Sequence, residues 1–394
     1  MEQSKIPHIS QDIIFEVFAR LPIDSLCRLI VFNDRHREFP QDILFDIFSR
    51  LPIESLYNLF FNDRYKKFHS FIKDHLFHSF HPSRINKNDP DLLIFCRRNK
   101  FYVVHNKHLL TSFTVTDNSP DFERNDIKVV GSSNGLFCFS FVSNLDCFYI
   151  CNPLTKETVK IPESPCLDLE TITTGFCYDA CKDKYKVVRL WWFLDAYGRR
   201  NTGVGIYNLG SHQWRRLRDI ERYIECSADT TPLFLNDALH WEMDDFIGVL
   251  DIKTEIFRRM KWPRLKEGST SRTRRLGSVQ GCLSVIDDMD YCTVVWSLKT
   301  YGVGTWTEEC VIEKEISSSL YPKAGRTFKT LKDGIILFQY LKKKCLFDLV
   351  KMESKRVVVK EVDFGEKEFD VFAHAGSFVS PKSIEGESSE VEIK

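Results

Sequence analysis

Residues 249–260 read VLDIKTEIFRRM. An apolar pair runs into Asp251, a polar turn follows, and a second strand-like run opens on Phe257. That is the pattern of two short strands joined by a tight connection. The shape recurs in YICNPLTKETVKIP (149–162), IYNLGSHQWRRL (206–217), VWSLKTYGVGTWTEECVI (295–312) and LFDLVKMESKRVVV (346–359). Aligned on Asn152, Asn208, Asp251, Ser297 and Asp348, the copies step by 56, 43, 46 and 51 residues. A loose period of about 50 residues, each holding four short strands, is the spacing of a kelch-type propeller blade. Ahead of the hairpins stand further strand pairs, such as VVGSSNGLFCFSF (129–141) and PLFLNDALHWEM (232–243). Their Asn-Gly and Asn-Asp dipeptides suit two-residue hairpin turns. Radial repetition protects the strand edges of an all-β chain. A β-sandwich or an irregular β-solenoid would also fit the strand density, and the degenerate repeats do not fix a blade count.

Outward from the repeats the character changes. Residues 1–82 are helical in pattern and say nearly the same thing twice. QDIIFEVFARLPIDSLCRL (11–29) and QDILFDIFSRLPIESLYNL (41–59) agree at 12 of 19 positions. In the second copy Leu44, Ile47, Phe48 and Leu51 recur at i, i+3, i+4 and i+7, one face of a helix. Pro52 ends that helix after Arg50, because a proline disfavours the α region for the residue before it. A second helix is expected from Glu54 to Phe61 and a third from about Lys66 to Phe80. A three-helix unit of this size is marginal alone and leans on a partner. Residues 83–91 read as a polar linker, and the acidic tail 382–394 as disordered.

Composition narrows the function classes. Lys plus Arg equals Asp plus Glu at 55 each, without the basic excess of a dedicated nucleic-acid binder. No run approaches the roughly 20 apolar residues of a membrane span, and the first residues lack the pattern of a secretory signal. Thirteen Cys, scattered through apolar runs without a CxxC pair, read as buried free thiols in a reducing compartment, cytoplasmic or nuclear. There is no HExxH and no phosphate-binding loop. His69, His75, His78 and His81 read as solvated helix surface rather than as a metal site. Gly203-Val204-Gly205 reads as a glycine-weakened edge, Trp191-Trp192 as core and neighbouring-blade packing, and Arg264, Lys266, Arg272, Arg274 and Arg275 as a solvated loop between blades. The expectation is therefore a non-enzymatic chain, with no catalytic residue, no metal, no cofactor, no nucleic acid and no membrane among its requirements.

Specific stretches resemble a known family. Phe39-Pro40-Gln41-Asp42-Ile43-Leu44, Arg50-Leu51-Pro52-Ile53-Glu54-Ser55-Leu56, then Ser70-Phe71-Ile72-Lys73-Asp74 with Phe77, resemble the successive parts of an F-box. Ser10-Gln11-Asp12 and Arg20-Leu21-Pro22-Ile23-Asp24-Ser25-Leu26 resemble it again, cut short at Phe39. Gly131 to Cys138, Cys151 to Lys156, Gly175 to Asp179, Asp183 to Val188, Asn236 to Trp241 and Leu276 to Leu283 resemble, in order, the elements of the plant F-box-associated interaction domain.

The resemblance implies an α+β multidomain chain: a small N-terminal helical F-box unit followed by an all-β, kelch-like propeller. Its domains would be an incomplete first F-box copy (9–38), an F-box (39–82), a linker (83–91), the propeller (92–381) and the tail. It implies a substrate receptor of an SCF-type ubiquitin ligase. The F-box would dock on a Skp-type adaptor, and through it on cullin, while the β domain holds an unknown protein substrate. Adaptor contact would fall on Pro40, Ile43, Leu44, Ile47, Phe48, Leu51, Pro52, Ile53, Ser55 and Leu56. A second adaptor-like face would comprise Ile13, Ile14, Val17, Leu21, Pro22 and Leu26. The family's Trp in the third element is absent: His36 stands there in the first copy, Lys66 or Phe68 in the second. A stand-alone protein- or glycan-binding propeller with a non-docking F-box is the alternative.

Overall fold

The computed structural model describes residues 25, 48, 51, 53–62, 92–105, 108–116, 126–142, 144–164, 171–217, 231–264, 271–279, 281–289, 292–302, 305–313, 327–330, 335–340, 346–353, 356–363, 370–386 and 392–393. The chain divides into two compact units. One holds Met1–Lys87 with Gly376–Val379, the other Asn88–Ala375 with Ser380–Lys394.

The larger unit is a β-propeller. Its described strands form six antiparallel sheets, five of four strands and one of five. The second sheet runs β4 (Ile127–Ser133), β5 (Leu136–Phe141), β6 (Asn144–Cys151) and β7 (Thr158–Lys160) in simple order. The third holds β8 (Thr171–Asp179), β9 (Lys184–Leu194), β10 (Arg200–Asn208) and β11 (Trp214–Arg216). The fourth holds β12 (Leu233–Leu235), β13 (Ala238–Glu242), β14 (Ile247–Asp251) and β15 (Phe257–Met260). The fifth holds β16 (Ser271–Val279), β17 (Cys282–Met289), β18 (Cys292–Leu298) and β19 (Trp306–Glu313). The sixth holds β20 (Thr327–Thr330), β21 (Ile335–Tyr340), β22 (Leu346–Glu353) and β23 (Arg356–Asp363).

The first sheet breaks the pattern. Strands β1 (Leu92–Arg97), β2 (Lys100–His105) and β3 (His108–Thr116) come from the start of the unit, and β24 (Asp370–His374) comes from its end to lie beside β1. The leading strands β24, β4, β8, β12, β16 and β20 neighbour one another in that order, and β20 meets β24 again, so the ring closes.

Alternation along the strands builds the core. On β13 Leu239 and Trp241 pack towards the third sheet with Val188, Leu190, Val204 and Ile206, and Ala238 packs towards the fifth with Leu276, Leu283 and Val285. That is the period of two expected where sheets are covered on both faces. The seam between the first two sheets is phenylalanine-rich. Phe101 stacks on Phe113 at 4.9 Å and meets Phe137 edge-on at 5.6 Å, and Phe139 stacks on Tyr149 at 5.4 Å. Burying each such ring contributes roughly 1.5–3 kcal/mol.

The repeat anchors fall in the third strand of successive sheets or just after it. Asn152 and Asp251 act alike: each side chain accepts two backbone N–H groups of its turn, at 2.9 and 3.2 Å and at 3.1 and 2.8 Å. Asn134-Gly135 and Asn236-Asp237 make the tight hairpins their composition predicts, all four residues at positive φ.

Three expectations are corrected. Gly203 and Gly205 lie in β10, between β9 and β11, and not at an edge. They are small because the buried Trp191 ring of β9 lies across them. Arg272, Arg274 and Arg275 are not loop residues: they sit in the leading strand β16, where Arg274 and Arg275 are ion-paired. Finally, the tail carries order. Helix α2 (Pro381–Glu385) is capped by Ser380, whose hydroxyl accepts the Ser383 N–H at 3.1 Å, and Glu392–Ile393 forms β25 on the edge of β3. Glu385 is buried; its carboxylate accepts the Gly210 N–H at 2.7 Å and is bonded to the Tyr207 hydroxyl. A Cβ on Gly210 would stand 2.5 Å from the Ile384 carbonyl oxygen, so only glycine admits the helix there.

In the smaller unit, helix α1 (Ile53–Phe61) matches the expected second helix within one residue. It buries Ile53, Leu56, Leu59 and Phe60. Phe60 lies 5.1 Å from the Phe378 ring, so residues late in the chain complete this unit. The expected third helix and linker lie outside the described residues.

Gly203 offers a direct test of the strand packing. An alanine Cβ would stand 2.4 Å from the Trp191 indole. Gly203→Ala should destabilise the propeller by about 1–3 kcal/mol, read as a lower urea midpoint. An unchanged midpoint would mean that Trp191 does not lie over β10.

Candidate interaction surface

A four-strand antiparallel meander returns to the end at which it began. Every link from the fourth strand of one sheet to the first of the next therefore stays on one face of the ring, here the crossover face. The β9–β10 connection (195–199) and the β13–β14 connection (243–246) share it. The opposite face carries the tight turns 134–135, 180–183 and 236–237 and the Asn152 and Asp251 turns. Loops on a rigid scaffold are the usual carriers of recognition. The crossovers 117–125, 165–170, 218–230, 265–270, 314–326 and 364–369 lie outside the described residues.

Buried polar groups tie the sheets to each other. Arg189, fully buried on β9, is ion-paired with Asp146 of β6. Lys186, buried three residues earlier and on the opposite face of the strand, reaches Asp179 at 2.8 Å, then crosses to the Ile252 carbonyl at 3.1 Å and Glu255 at 3.2 Å. Glu242 accepts the Leu276 N–H and Arg275, both at 2.7 Å. Burial pushes its carboxyl up, against the pull of Arg275. Trp214 and Trp306 each donate an indole N–H to a carbonyl just past the preceding sheet, Pro162 at 2.8 Å and Lys261 at 3.0 Å.

Two histidines occupy seams. His240 contacts the Leu233 carbonyl through Nδ1 at 3.2 Å. A carbonyl only accepts, so Nδ1 carries the proton and Nε2 accepts the Tyr301 hydroxyl at 2.6 Å. His374, the last residue of β24, is hydrogen-bonded to Ser132 of β4 at 2.8 Å. Burial pulls His240 down to about 4 and His374 to about 3.

One spacing escaped the sequence reading. Gly131-Ser132-Ser133-Asn134-Gly135 has the Gly-x-Ser-x-Gly form of a nucleophile elbow. It lies on a strand–turn–strand rather than a strand–turn–helix, and the buried Ser133 hydroxyl accepts the Tyr178 N–H at 3.0 Å. His374 is hydrogen-bonded to Ser132 rather than to Ser133, the central serine of the spacing. These groups act as ties between strands. Among the described residues no cluster of three His, Cys, Asp or Glu could hold a metal ion, and the histidines 69–81 lie outside them.

Of the expected adaptor-facing residues, Phe48, Leu51, Ile53 and Leu56 are buried and Ser55 is half-buried. The described part of that stripe is thus buried, and α1 turns Asn58 and Phe61 to solvent. Pro40, Ile43, Leu44, Ile47 and Pro52, and the face of Ile13, Ile14, Val17, Leu21, Pro22 and Leu26, lie outside the described residues. The sequence reading missed Lys186, Arg189, His240, Glu242 and His374. Their only signal was a polar residue inside an apolar strand run.

The architecture defines a closed, six-sheet β-propeller with an ordered C-terminal clasp. The chain belongs to the F-box associated beta propeller domain family, whose pattern matches residues 91–380. Three Arabidopsis thaliana proteins are similar to it. F-box protein At5g49610 is 32% identical over 49% of this chain and 58% of that protein. F-box protein CPR1 is 25% identical over 56% and 59%. F-box protein At3g07870 is 27% identical over 84% and 82%. The chain thus spans under two thirds of the length of the first two.

The neutral seam histidines set a pH dependence. Below about 6.5 an unfolded chain protonates both, whereas the folded chain does so only near 4 and 3. The unfolded state then binds more protons, so this stability is full above about pH 6.5 and falls as pH drops towards 4. His240 alone contributes on the order of 3 kcal/mol. Glu242, raised by burial, has the opposite sign. Urea midpoints measured from about pH 7 to 4 should fall, and less steeply in His240→Gln. Equal slopes would refute the assignment.

Proposed function

We propose that this chain is the substrate-recognition subunit of an SCF-type ubiquitin ligase, with the helical unit docking on a Skp-type adaptor and the propeller holding the protein to be ubiquitinated. The observation that carries the reading is the union, in one chain, of an F-box-like motif at 39–82 and a propeller of the F-box-associated family at 91–380. The names of its plant relatives point the same way. In this reading the propeller has no reaction of its own, and the ligase works where free thiols persist, in the cytoplasm or nucleus. Eight of the described cysteines are free, five of them buried.

The tandem segment is read as a partial duplication. The second copy docks, and the first, which ends before a third helix, is a packing remnant. Docking then falls on Pro40, Ile43, Leu44, Ile47, Pro52 and Ser55, while the buried Phe48, Leu51, Ile53 and Leu56 hold the unit in shape. The stand-alone binding module remains the second reading, favoured by the missing Trp, since Trp is a common interface anchor.

The test is binding of the full chain to a purified Skp-type adaptor. The full chain and a chain starting at residue 39 should bind equally well. Ile47→Ala with Pro52→Ala should weaken binding by about tenfold or more while the propeller melts as before. If the full chain does not bind, the stand-alone module is correct.

A further inference from the structure

The outermost strands of the six sheets differ in how they guard their edges. A strand edge presents unpaired N–H and C=O groups, and proteins blunt it by keeping it short or by placing charge on it. β7 and β11 have three residues each, and β15 has four, two of them Arg258 and Arg259. The longer β19 includes Glu308, Glu309 and Glu313, and β23 includes Arg356, Lys360, Glu361 and Asp363. β3 uses neither device. It runs for 9 residues, HLLTSFTVT, without an Asp, Glu, Lys or Arg.

That edge already takes a strand. β25 pairs antiparallel with it, Ile393 opposite Val115 and Glu392 opposite Thr116. Among the described residues no strand pairs with 108–114 on the same side. The ladder fixes which groups are open there. The Val115 N–H donates inward to the Asn99 carbonyl at 3.1 Å, and Phe113 stands opposite Phe101. Bonded and non-bonded pairs alternate along an antiparallel ladder, so Ser112 and Thr114 turn their N–H and C=O groups outward. The side chains sort by face. Thr111, Phe113 and Val115 are buried, whereas Ser112 and Thr114 are half-buried and Leu109 is 59% exposed. A register shift beside Val104 puts Leu109 on the face of Ser112 rather than that of Phe113.

We propose that the edge of β3 is a docking site for an extended segment of a protein partner, which adds as a further strand in line with β25. The segment runs antiparallel to β3, and its main chain exchanges hydrogen bonds with Ser112 and Thr114. Its side chains are uncharged: hydroxyl-bearing or β-branched opposite Ser112 and Thr114, and apolar opposite Leu109. Main-chain pairing supplies the affinity of such an added strand, and the alternate side chains supply its specificity. This rests on the reading of the propeller as the part that holds a protein partner.

The test uses the full chain and a short fluorescein-labelled synthetic peptide of alternating Thr and Val, read by anisotropy. The comparison peptide has the same side chains with its backbone nitrogens methylated, which removes the donors a ladder needs. The unmodified peptide should bind at least about tenfold tighter. Ser112→Pro removes an outward N–H that makes no bond to β2, an exchange an edge strand tolerates, and should abolish binding with the melting temperature unchanged. Leu109→Lys, at an exposed position, should weaken binding by about fivefold. No binding of the unmodified peptide, equal binding of the two peptides, or full affinity in both variants would overturn the proposal. Self-association of the chain that Ser112→Pro removes, without peptide binding, would overturn it in favour of a second copy on this edge. Adaptor binding, measured on the same preparation, tells the failures apart. A chain that binds adaptor but not the peptide refutes only this site, and one that binds the peptide but not adaptor refutes only the ligase reading.

Discussion

The propeller stands or falls on one strand pairing. Leu92 to Cys96 of β1 pair antiparallel with His374 to Asp370 of β24, joining residues from the two ends of the unit. A loop of this length costs only a few kcal/mol more to close than a short one, since the penalty grows as the logarithm of length. The pairing is still the last long-range contact that makes every other sheet part of a ring. Without it β1 would be an open inner edge, and β4 and β20 would each lose the neighbour that lies between them. The His374–Ser132 bond then carries the closure one sheet further, into β4.

Apolar and polar contacts divide the work at the seams. Phe101, Phe137 and Phe139, or Trp241 with Val188 and Leu190, supply the bulk of the favourable burial. Lys186, Arg189 and Glu242 add little net stability, because desolvating a charge offsets most of its attraction to a partner. Their effect is on register. An apolar seam tolerates a slide of one sheet past the next, whereas Lys186 finds Asp179, Glu255 and the Ile252 carbonyl in one alignment only. A polar group left behind by a slip would be buried without a partner, at roughly 1–3 kcal/mol each.

Local chemistry was legible in the sequence and long-range chemistry was not. The repeat, the Asx turns at Asn152 and Asp251 and the Asn-Gly hairpin rest on interactions within a few residues, so spacing and composition expose them. The alignment drifted where turns lengthened: Ser297 sits one residue before the end of β18, and Asp348 lies inside β22. Arg274 and Arg275 looked like a solvated loop because their partners, Asp287 and Glu242, are 13 and 33 residues away. The tail looked disordered because Glu385 is buried only by virtue of Tyr207 and Gly210, which no local window contains. Of the candidate sites, the F-box-like stripe was visible from its period. Its four described apolar members are buried, and periodicity reports an apolar face and not what covers it.

The two faces of the ring differ in what they leave available. On the turn face, side chains are spent on the fold: Asn152, Asp179 and Asp251 cap their own turns, and α2 occupies the surface around Gly210 and Glu157. On the crossover face, the chain links sheets through segments whose length is not set by hairpin geometry, and the β9–β10 hairpin extends beyond its counterpart in the next sheet. A substitution in a turn that caps itself costs stability, whereas one at the exposed Tyr197 meets mainly solvent. Substitution therefore costs the fold least on the crossover face. The same scaffold can keep its seams and its clasp while the surface at its other end changes.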